Sequence, residues 1–131
     1  MFPPDLKSNA YRADNGEFGW TRVQIPLVVD ILRSRGLAIL GGELWWVREG
    51  AAGWDLIPQR SGAKAVYPWK TERMSAEPWS IFVQRCATDT LAAVERWPAP
   101  EDVPPDLPGQ ILYNLTWVSE MEFEKLNSRA I

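Results

Sequence analysis

The amino-acid sequence predicts an α+β fold: a mostly antiparallel sheet of four to five strands, two main helices packed on one face of it, and a short C-terminal helix. Apolar residues recur at helical spacing in two segments, residues 22–35 and 78–97. Short runs with β-sheet character lie between these segments, and the strongest of them, residues 111–118, follows the second. This order of elements suits a sheet with its helices on one face.

The length of the chain predicts a single domain over residues 1–131. A chain of 131 residues can bury roughly two thirds of its unfolded surface in one core, whereas two separate cores would each be marginal. Apolar residues make up 46% and charged residues 24%, as in ordinary globular domains. Within this domain we expect an irregular N-terminal lead-in at residues 1–16 and an acidic, proline-rich loop at residues 98–109.

Charge and apolar runs narrow the class of partner. The 17 acidic and 14 basic residues give a formal net charge of −3, and the basic residues are scattered along the chain. We therefore expect no nucleic-acid partner, which would need a basic stripe. A helix that spans a membrane needs about 20 consecutive apolar residues. No apolar run in this sequence is that long, so we expect no membrane segment. No export signal opens the chain, and Cys86 is its single cysteine; both features favour a cytoplasmic location.

The first helix is expected over residues 22–35. Thr21 and Gln24 have the spacing of a capping box, in which each side chain accepts a hydrogen bond from the backbone N–H of the other residue. Pro26 removes a backbone donor and leaves open a later start at that proline. Gly36 follows a basic last turn and suits the left-handed position after a helix. The residues that recur at helical spacing, and are expected to form its apolar face, are Val23, Leu27, Val28, Ile31 and Leu32.

Short strands are expected between the two main helices. Residues 37–40 and 43–47 are apolar runs joined by Gly41 and Gly42, which tolerate positive φ, so the sequence predicts a β-hairpin with a tight glycine turn. The glycine pair does not match a phosphate-binding loop, because no helix opens after it. Further short strands are expected at residues 54–57 and 65–67.

The second helix is the clearest element in the sequence. Pro78 suits a first helical position, and Pro98 ends the helix. The β run at residues 111–118 is expected to be a central strand. Ser119 and Glu122 repeat the capping-box spacing at the start of the final helix. One shared core is expected to contain Trp79, Phe82, Val83, Leu91, Val94 and Trp117.

Few residues could carry chemistry. The chain has no histidine, which removes the commonest general base and metal ligand. Cys86 lies in the apolar stripe of the second helix, where a free cysteine is usually buried and unreactive. A pair of carboxylates near tryptophans could act as acid and base, although solvated or capping carboxylates are the simpler interpretation. Those carboxylates are Glu43, Asp55, Glu72 and Glu77. We therefore expect no catalytic residue, no cofactor and no metal site.

Eight tryptophans are many for this length, and most must lie in the core. Trp45 and Trp46 are consecutive, so on a strand they point to opposite faces of the sheet. One of them therefore faces away from the main core. Either residues 58–76 fold over it, or it is exposed beside Trp54 or Trp69 and could anchor a partner or a sugar ring.

Three parts of the sequence resemble a family of bacterial immunity proteins from polymorphic toxin systems. They are the run Ala38-Ile39-Leu40-Gly41-Gly42-Glu43-Leu44-Trp45, the helix start Glu77-Pro78-Trp79 with Phe82-Val83-Gln84-Arg85, and the segment Thr90-Leu91-Ala92-Ala93-Val94. The resemblance extends from the first helix through the second. It implies a cytoplasmic α+β protein that is made beside a secreted toxin and blocks it by tight binding, without a cofactor or a catalytic residue. No binding residue of the family is carried over to a position in this chain.

A partner-binding surface is expected where the proline-rich loop meets the predicted hairpin and its following turn, residues 43–54. Loops held by a scaffold carry recognition, and prolines lower the ordering cost of binding. The acidic loop would face a basic toxin surface; such a loop is also often a solvated crossing, and a toxin could equally dock on the first helix. The residues assigned to this surface are Glu43, Trp45, Trp54, Glu101, Asp102 and Asp106.

A second hypothesis comes from the density of tryptophan and glutamate in residues 43–79. This region could belong to a small carboxylate-dependent enzyme or a carbohydrate-binding domain. A toxin gene directly beside this one would favour inhibition, whereas a sugar-utilisation operon would favour the rival. The sequence predicts neither the activity of the toxin nor the oligomeric state.

Overall fold

Within the residues that the structure describes, five strands form one antiparallel sheet, two form a separate ribbon, and three helices accompany them. The structure is a computed structural model, and it describes residues 10–13, 16–48, 57–58, 64–65, 68–99 and 103–129. The predicted α+β class and the mostly antiparallel sheet are confirmed. In chain order the elements are β1 (Tyr11–Arg12), β2 (Phe18–Trp20), α1 (Ile25–Ser34), β3 (Ala38–Val47), β4 (Ile57–Pro58), β5 (Lys64–Ala65), β6 (Trp69–Lys70), α2 (Trp79–Arg96), β7 (Gln110–Val118) and α3 (Glu120–Arg129).

Strand β7 is the centre of the sheet, whose strand order is β1-β2-β7-β3-β6. It pairs with β2 on one side and with β3 on the other, and all these pairings are antiparallel. The β3 pairing runs from Ala38 opposite Val118 to Val47 opposite Gln110. The prediction of a central strand at residues 111–118 is confirmed. Strands β4 and β5 pair with each other as the two-stranded ribbon.

The predicted hairpin at Gly41 and Gly42 is wrong, because both glycines lie inside the continuous strand β3. A β-bulge between Ile39 and Gly41 shifts the register there. A Cβ atom on Gly42 would collide with the carbonyl oxygen of Asn114 and would lie 2.6 Å from the Trp69 ring. A Cβ atom on Gly41 would collide with the backbone of β6. The two glycines allow the neighbouring strands to approach closely. A glycine pair in a sequence does not show whether it forms a turn or such a close contact.

The N-terminal part of the chain adds an edge to the sheet. Residues 1–16 were predicted to be irregular, but Tyr11 pairs with Gly19, so β1 and β2 form a short antiparallel pair. The backbone N–H of Ala13 donates to the Glu17 carbonyl at 2.8 Å and closes the connection between them. Strands of two and three residues are too short to show an alternating pattern in the sequence. Strand β6 was not predicted for the same reason.

Helix α1 begins after a capping box, as the sequence predicts, but Val23 and Leu27, which were expected on its apolar face, are exposed. The Thr21 N–H donates to Gln24 Oε1 at 2.9 Å, and the Gln24 N–H donates to Thr21 Oγ1 at 3.4 Å. The regular helix then starts later than residue 22, with Pro26 in its first turn, where a missing N–H costs nothing. After the helix, Gly36 has a φ of +70°, and its N–H donates to the Arg33 carbonyl at 3.0 Å.

Helices α2 and α3 follow their predicted signals. Helix α2 is preceded by Pro78 and ends before Pro98. Ser119 and Glu122 form a capping box with distances of 2.9 and 3.2 Å, and α3 extends to Arg129. No described helix has the length and apolarity to cross a membrane. The described residues of the loop at 98–109 contain neither helix nor strand.

The main core lies between one face of the sheet and the helices α1 and α2. Phe82, Val83 and Val94 are buried in it, and Trp79 and Trp117 pack against it, so five of the six residues predicted to share one core do so. Leu91 is 40% exposed, and its assignment to the core was wrong. At about 100° per residue, the buried stripe of α2 leaves Leu91 at its margin. The buried residues of α2 are Phe82, Val83, Cys86, Ala87, Thr90, Ala93 and Val94.

Truncation of Phe82 tests this core. Its side chain is fully buried, with ring centroids of Trp79 and Phe123 each 5.6 Å away. Phe82→Ala should lower the free energy of unfolding by about 3–5 kcal/mol, because it leaves a cavity. Leu91→Ala, the matched control on the same helix, should cost about 1 kcal/mol or less. Equal losses in urea denaturation would contradict the placement of the two side chains.

An added methyl group at Gly42 tests the close approach of the strands. Gly42→Ala should lower the free energy of unfolding by about 3 kcal/mol, because the strands must move apart to admit the methyl group. Gly36→Ala is the control: its Cβ would meet no atom within 4 Å, so only the left-handed backbone is strained, at about 1–2 kcal/mol. Denaturation midpoints that fall equally for both variants would refute the tight contact at Gly42.

Candidate functional site

The side chains of the two consecutive tryptophans of β3 lie on opposite faces of the sheet. Trp46 lies in the main core, and its indole N–H donates to the Pro108 carbonyl at 2.7 Å. Trp45 belongs to a small cluster with Ala13 and Leu112 on the other face, called here the second face. The predicted division between the two faces is therefore confirmed.

Neither tryptophan is exposed, so the assignment of Trp45 as a direct partner contact is corrected. Trp45 is 0% exposed and Trp46 is 6% exposed. A Cβ atom on Gly19 would lie 2.9 Å from the Trp45 ring, which shows that β2 covers the ring closely because it carries a glycine there. Among the described residues, cover for Trp45 comes from the N-terminal strand pair, whereas residues 59–63 and 66–67 of the segment expected to fold over it lie outside the described residues.

An open cleft of about 990 Å³ lies beside this cluster. Its floor belongs to the second face, because Glu43 alternates with Trp45 on β3 and Asn114 alternates with Leu112 on β7. The connection from β6 to α2 supplies one wall, and α3 supplies another. The lining residues are Glu17, Leu40, Gly41, Gly42, Glu43, Trp69, Lys70, Thr71, Glu72, Arg73, Met74, Ser75, Ala76, Asn114, Thr116, Phe123 and Asn127.

Two polar side chains on the floor are held in place by neighbouring groups. Glu43 and Asn114 are directly opposite each other in the pairing of β3 with β7. The indole N–H of Trp45 donates to Glu43 Oε1 at 3.1 Å. Asn114 is 7% exposed, and its amide nitrogen donates to the Phe18 carbonyl at 2.9 Å. The Phe18 carbonyl can only accept a hydrogen bond, so the Asn114 side-chain atom that faces it is the amide nitrogen. The other terminal atom of the Asn114 side chain is therefore the oxygen.

Glu77 attaches the wall to helix α2. Its carboxylate accepts two hydrogen bonds from the Arg85 guanidinium, at 2.7 and 2.9 Å, and one from the Met74 N–H at 2.9 Å. The Arg85 hydrogen bonds, followed by the Met74 N–H, lower the pKa of Glu77 from 4.5 to about 2. A carboxyl with that pKa carries no proton near neutral pH, so Glu77 cannot serve as a general acid.

Arg73 joins the same wall to helix α3. Its guanidinium lies 5.3 Å from the centroid of the Trp79 ring and 5.5 Å from that of the Phe123 ring. It donates to the Glu77 carbonyl at 2.8 and 3.0 Å and forms an ion pair with Glu124 at 3.3 Å. These contacts link two helices across one end of the cleft, so the walls are built before any ligand is present.

The structure brings one of the predicted surface residues to the cleft. Glu43 lines the floor, whereas Asp106 is exposed in the loop after α2 and does not line the cleft. Trp54, Glu101 and Asp102 lie outside the described residues. Of the four carboxylates considered for catalysis, Glu43 and Glu72 line the cleft, Glu77 has the structural role given above, and Asp55 is outside the described residues. Sequence reasoning missed the lining residues Glu17, Asn114 and Thr116.

The remaining reactive group is Cys86, and it is buried in α2. Burial raises the pKa of its thiol to about 12, so the thiolate that reacts with electrophiles is scarce at neutral pH. In the part of the chain that the structure covers, no group of three or more histidine, cysteine, aspartate or glutamate side chains could hold a metal ion.

Comparisons with known proteins found no relative of this chain. No protein-family model, no curated protein and no solved structure matches this chain. The chemistry of the cleft residues therefore carries the functional conclusion.

The low pKa of Glu77 makes a prediction for acid stability. The folded state lowers this pKa, so the ionised carboxylate stabilises the fold above pH 4.5, and that contribution is lost as the pH falls towards 2. The free energy of unfolding of the parent should exceed that of Glu77→Gln at neutral pH, and the difference should close between pH 4.5 and 2. Denaturation curves over this range measure it.

Glu95→Gln is the control, because Glu95 is an exposed glutamate on helix α2, the helix that carries Arg85. Its stability should follow the parent curve throughout. A Glu77→Gln variant that also parallels the parent at every pH would show that the ion pair with Arg85 does not hold the wall.

Proposed function

We propose that this chain is a non-catalytic immunity protein that binds and neutralises a cognate bacterial toxin domain in the cytoplasm of the cell that makes it. The observation that carries the proposal is the open cleft of about 990 Å³ on the second face. Its floor and walls are held in position by contacts within the chain, as a recognition site requires.

Preorganisation of the cleft side chains favours tight binding. Binding is weakened when side chains must be ordered on contact, at about 0.5–1.5 kcal/mol for each long side chain. Glu43 is already oriented by the indole of Trp45, which is fully buried, and Asn114 by the Phe18 carbonyl. The entropy cost of ordering these side chains on contact with a partner is therefore reduced.

Two of the three segments that carry the resemblance to immunity proteins contribute to this cleft. The run from Ala38 to Trp45 supplies Gly41, Gly42 and Glu43 to its lining. The helix start at Glu77 provides the carboxylate that holds the wall, with Arg85 as its partner. The segments that motivate the proposal therefore contribute to the cleft, although the resemblance itself assigns no binding residue.

The rim of the cleft combines an exposed methionine with an exposed ion pair. Met74 is 64% exposed at the rim, and methionine adapts its shape to an apolar partner. Lys70 and Glu72 form an exposed ion pair at 3.0 Å beside it. A cleft with a few fixed polar groups, surrounded by an adaptable rim, resembles the centre of a binding interface, where most of the binding energy is concentrated.

A small carboxylate-dependent enzyme or carbohydrate-binding domain is the second candidate. One observation favours it, since Glu17 and Glu43 line the same cleft. The tryptophans near the cleft weigh against sugar stacking: Trp45 is fully buried, and the Trp69 ring packs towards Tyr113, with 6.5 Å between ring centroids. Trp45 presents no ring face to the cleft, and Trp69 is partly occupied by its contact with Tyr113, so we rank this candidate second.

Co-expression with the toxin domain encoded beside this gene tests the proposal. The chain should restore growth of bacteria that express the toxin, and the two purified proteins should elute as a stable complex in size-exclusion chromatography. A catalytically inactive toxin variant allows the affinity to be measured without toxicity. A chain that expresses well but neither restores growth nor forms a complex would contradict the proposed function, and saturable sugar binding would favour the rival.

A further inference from the structure

We propose that the floor of the cleft recognises a guanidinium group, contributed by an arginine side chain of the toxin. This inference rests on the proposed function and names the chemistry of the partner at the same site. It comes from two hydrogen-bond acceptors that the sheet places side by side, the carboxylate of Glu43 and the side-chain oxygen of Asn114.

The register of the sheet sets the spacing of these acceptors. Glu43 on β3 is directly opposite Asn114 on β7, and the Cβ atoms of such cross-strand pairs lie about 4.5–5.5 Å apart. Both side chains therefore rise from neighbouring positions on the second face. Thr116 and Gly41 form the next pair on the second face, and the absence of a side chain at Gly41 leaves room beside the two acceptors.

Each acceptor retains capacity for a ligand. Glu43 accepts one hydrogen bond, from Trp45 to Oε1, and an ionised carboxylate accepts several. Asn114 uses its amide nitrogen towards Phe18. Among the described residues, no hydrogen bond reaches its side-chain oxygen and no ion pair reaches Glu43. The amide oxygen belongs to a side chain that is more than nine-tenths buried and lines the cleft.

The basic residues of the cleft are engaged elsewhere. Arg73 is bound by the Glu77 carbonyl and by Glu124, and Lys70 pairs with Glu72. Glu17 adds a further carboxylate to the lining. An anionic ligand would therefore meet like charge at the floor, whereas a cation with several N–H donors satisfies a carboxylate and an amide oxygen together. Guanidinium fits best because it offers five donors in a planar fork.

A purely structural role for Glu43 makes a different prediction. The indole N–H of Trp45 is buried and needs an acceptor, and Glu43 supplies one. Glu43→Gln separates the two roles, because glutamine keeps a side-chain oxygen for the indole and removes the charge. If the role is structural only, this variant should behave like the parent in every binding measurement.

The first experiment uses small probes and the Trp45 indole N–H as a reporter in ¹H–¹⁵N NMR spectra. N-acetyl-arginine amide should shift this resonance saturably, and the uncharged isostere N-acetyl-citrulline amide should bind at least tenfold more weakly. N-acetyl-lysine amide shows whether an ammonium group suffices. Glu43→Gln, with an otherwise native spectrum, should lose the arginine response by at least tenfold, whereas Glu95→Gln should retain it.

The second experiment measures affinity for the inactive toxin domain. Glu43→Gln should weaken binding at least tenfold, and Glu95→Gln should leave it unchanged. No saturable arginine shift, an equal response to citrulline, or toxin binding that is unaffected by Glu43→Gln would each overturn the guanidinium site. If the parent binds arginine but no toxin, the guanidinium site is supported and the proposed immunity function fails.

Discussion

The pairing of β3 with β7 is the constraint on which the rest of the structure depends. Nine pairs of residues, from Ala38 opposite Val118 to Val47 opposite Gln110, fix the register of the two longest strands. Because side chains alternate along a strand, this register sends Trp46 to the helical face and Trp45 to the second face. A slip by one residue would exchange the two faces, so burial of both tryptophans specifies the register strongly.

The cleft follows from that register and from the elements at the ends of the sheet. Trp45 needs an acceptor for its indole N–H, and the same alternation that buries it places Glu43 on its face. The wall between β6 and α2 is then held by the ion pair of Glu77 with Arg85. In this arrangement the stability of the fold and the readiness of the site come from the same contacts, which suits a protein that acts by binding.

The sequence predicted the helices, the central strand and the opposite faces of Trp45 and Trp46, because these depend on periodicity and capping within one segment. It failed where long-range contacts decide: Gly41 and Gly42 resemble a turn until β6 and β7 are placed beside them. Of the site, Glu43 was predicted. Asn114 was not predicted, because its neighbours Phe18 and Glu43 are distant in sequence. A polar residue inside an apolar strand is nevertheless a signal of a binding role.

Methionine oxidation, followed by mass spectrometry on the free chain and on its complex with the inactive toxin domain, tests the central claim most directly. Met74 at the cleft rim is 64% exposed, and Met121 on α3, which does not line the cleft, is 70% exposed. If the toxin occupies the cleft, complex formation should slow the oxidation of Met74 several-fold and leave that of Met121 unchanged. Oxidation of Met74 at the same rate in both states would show that the partner binds elsewhere.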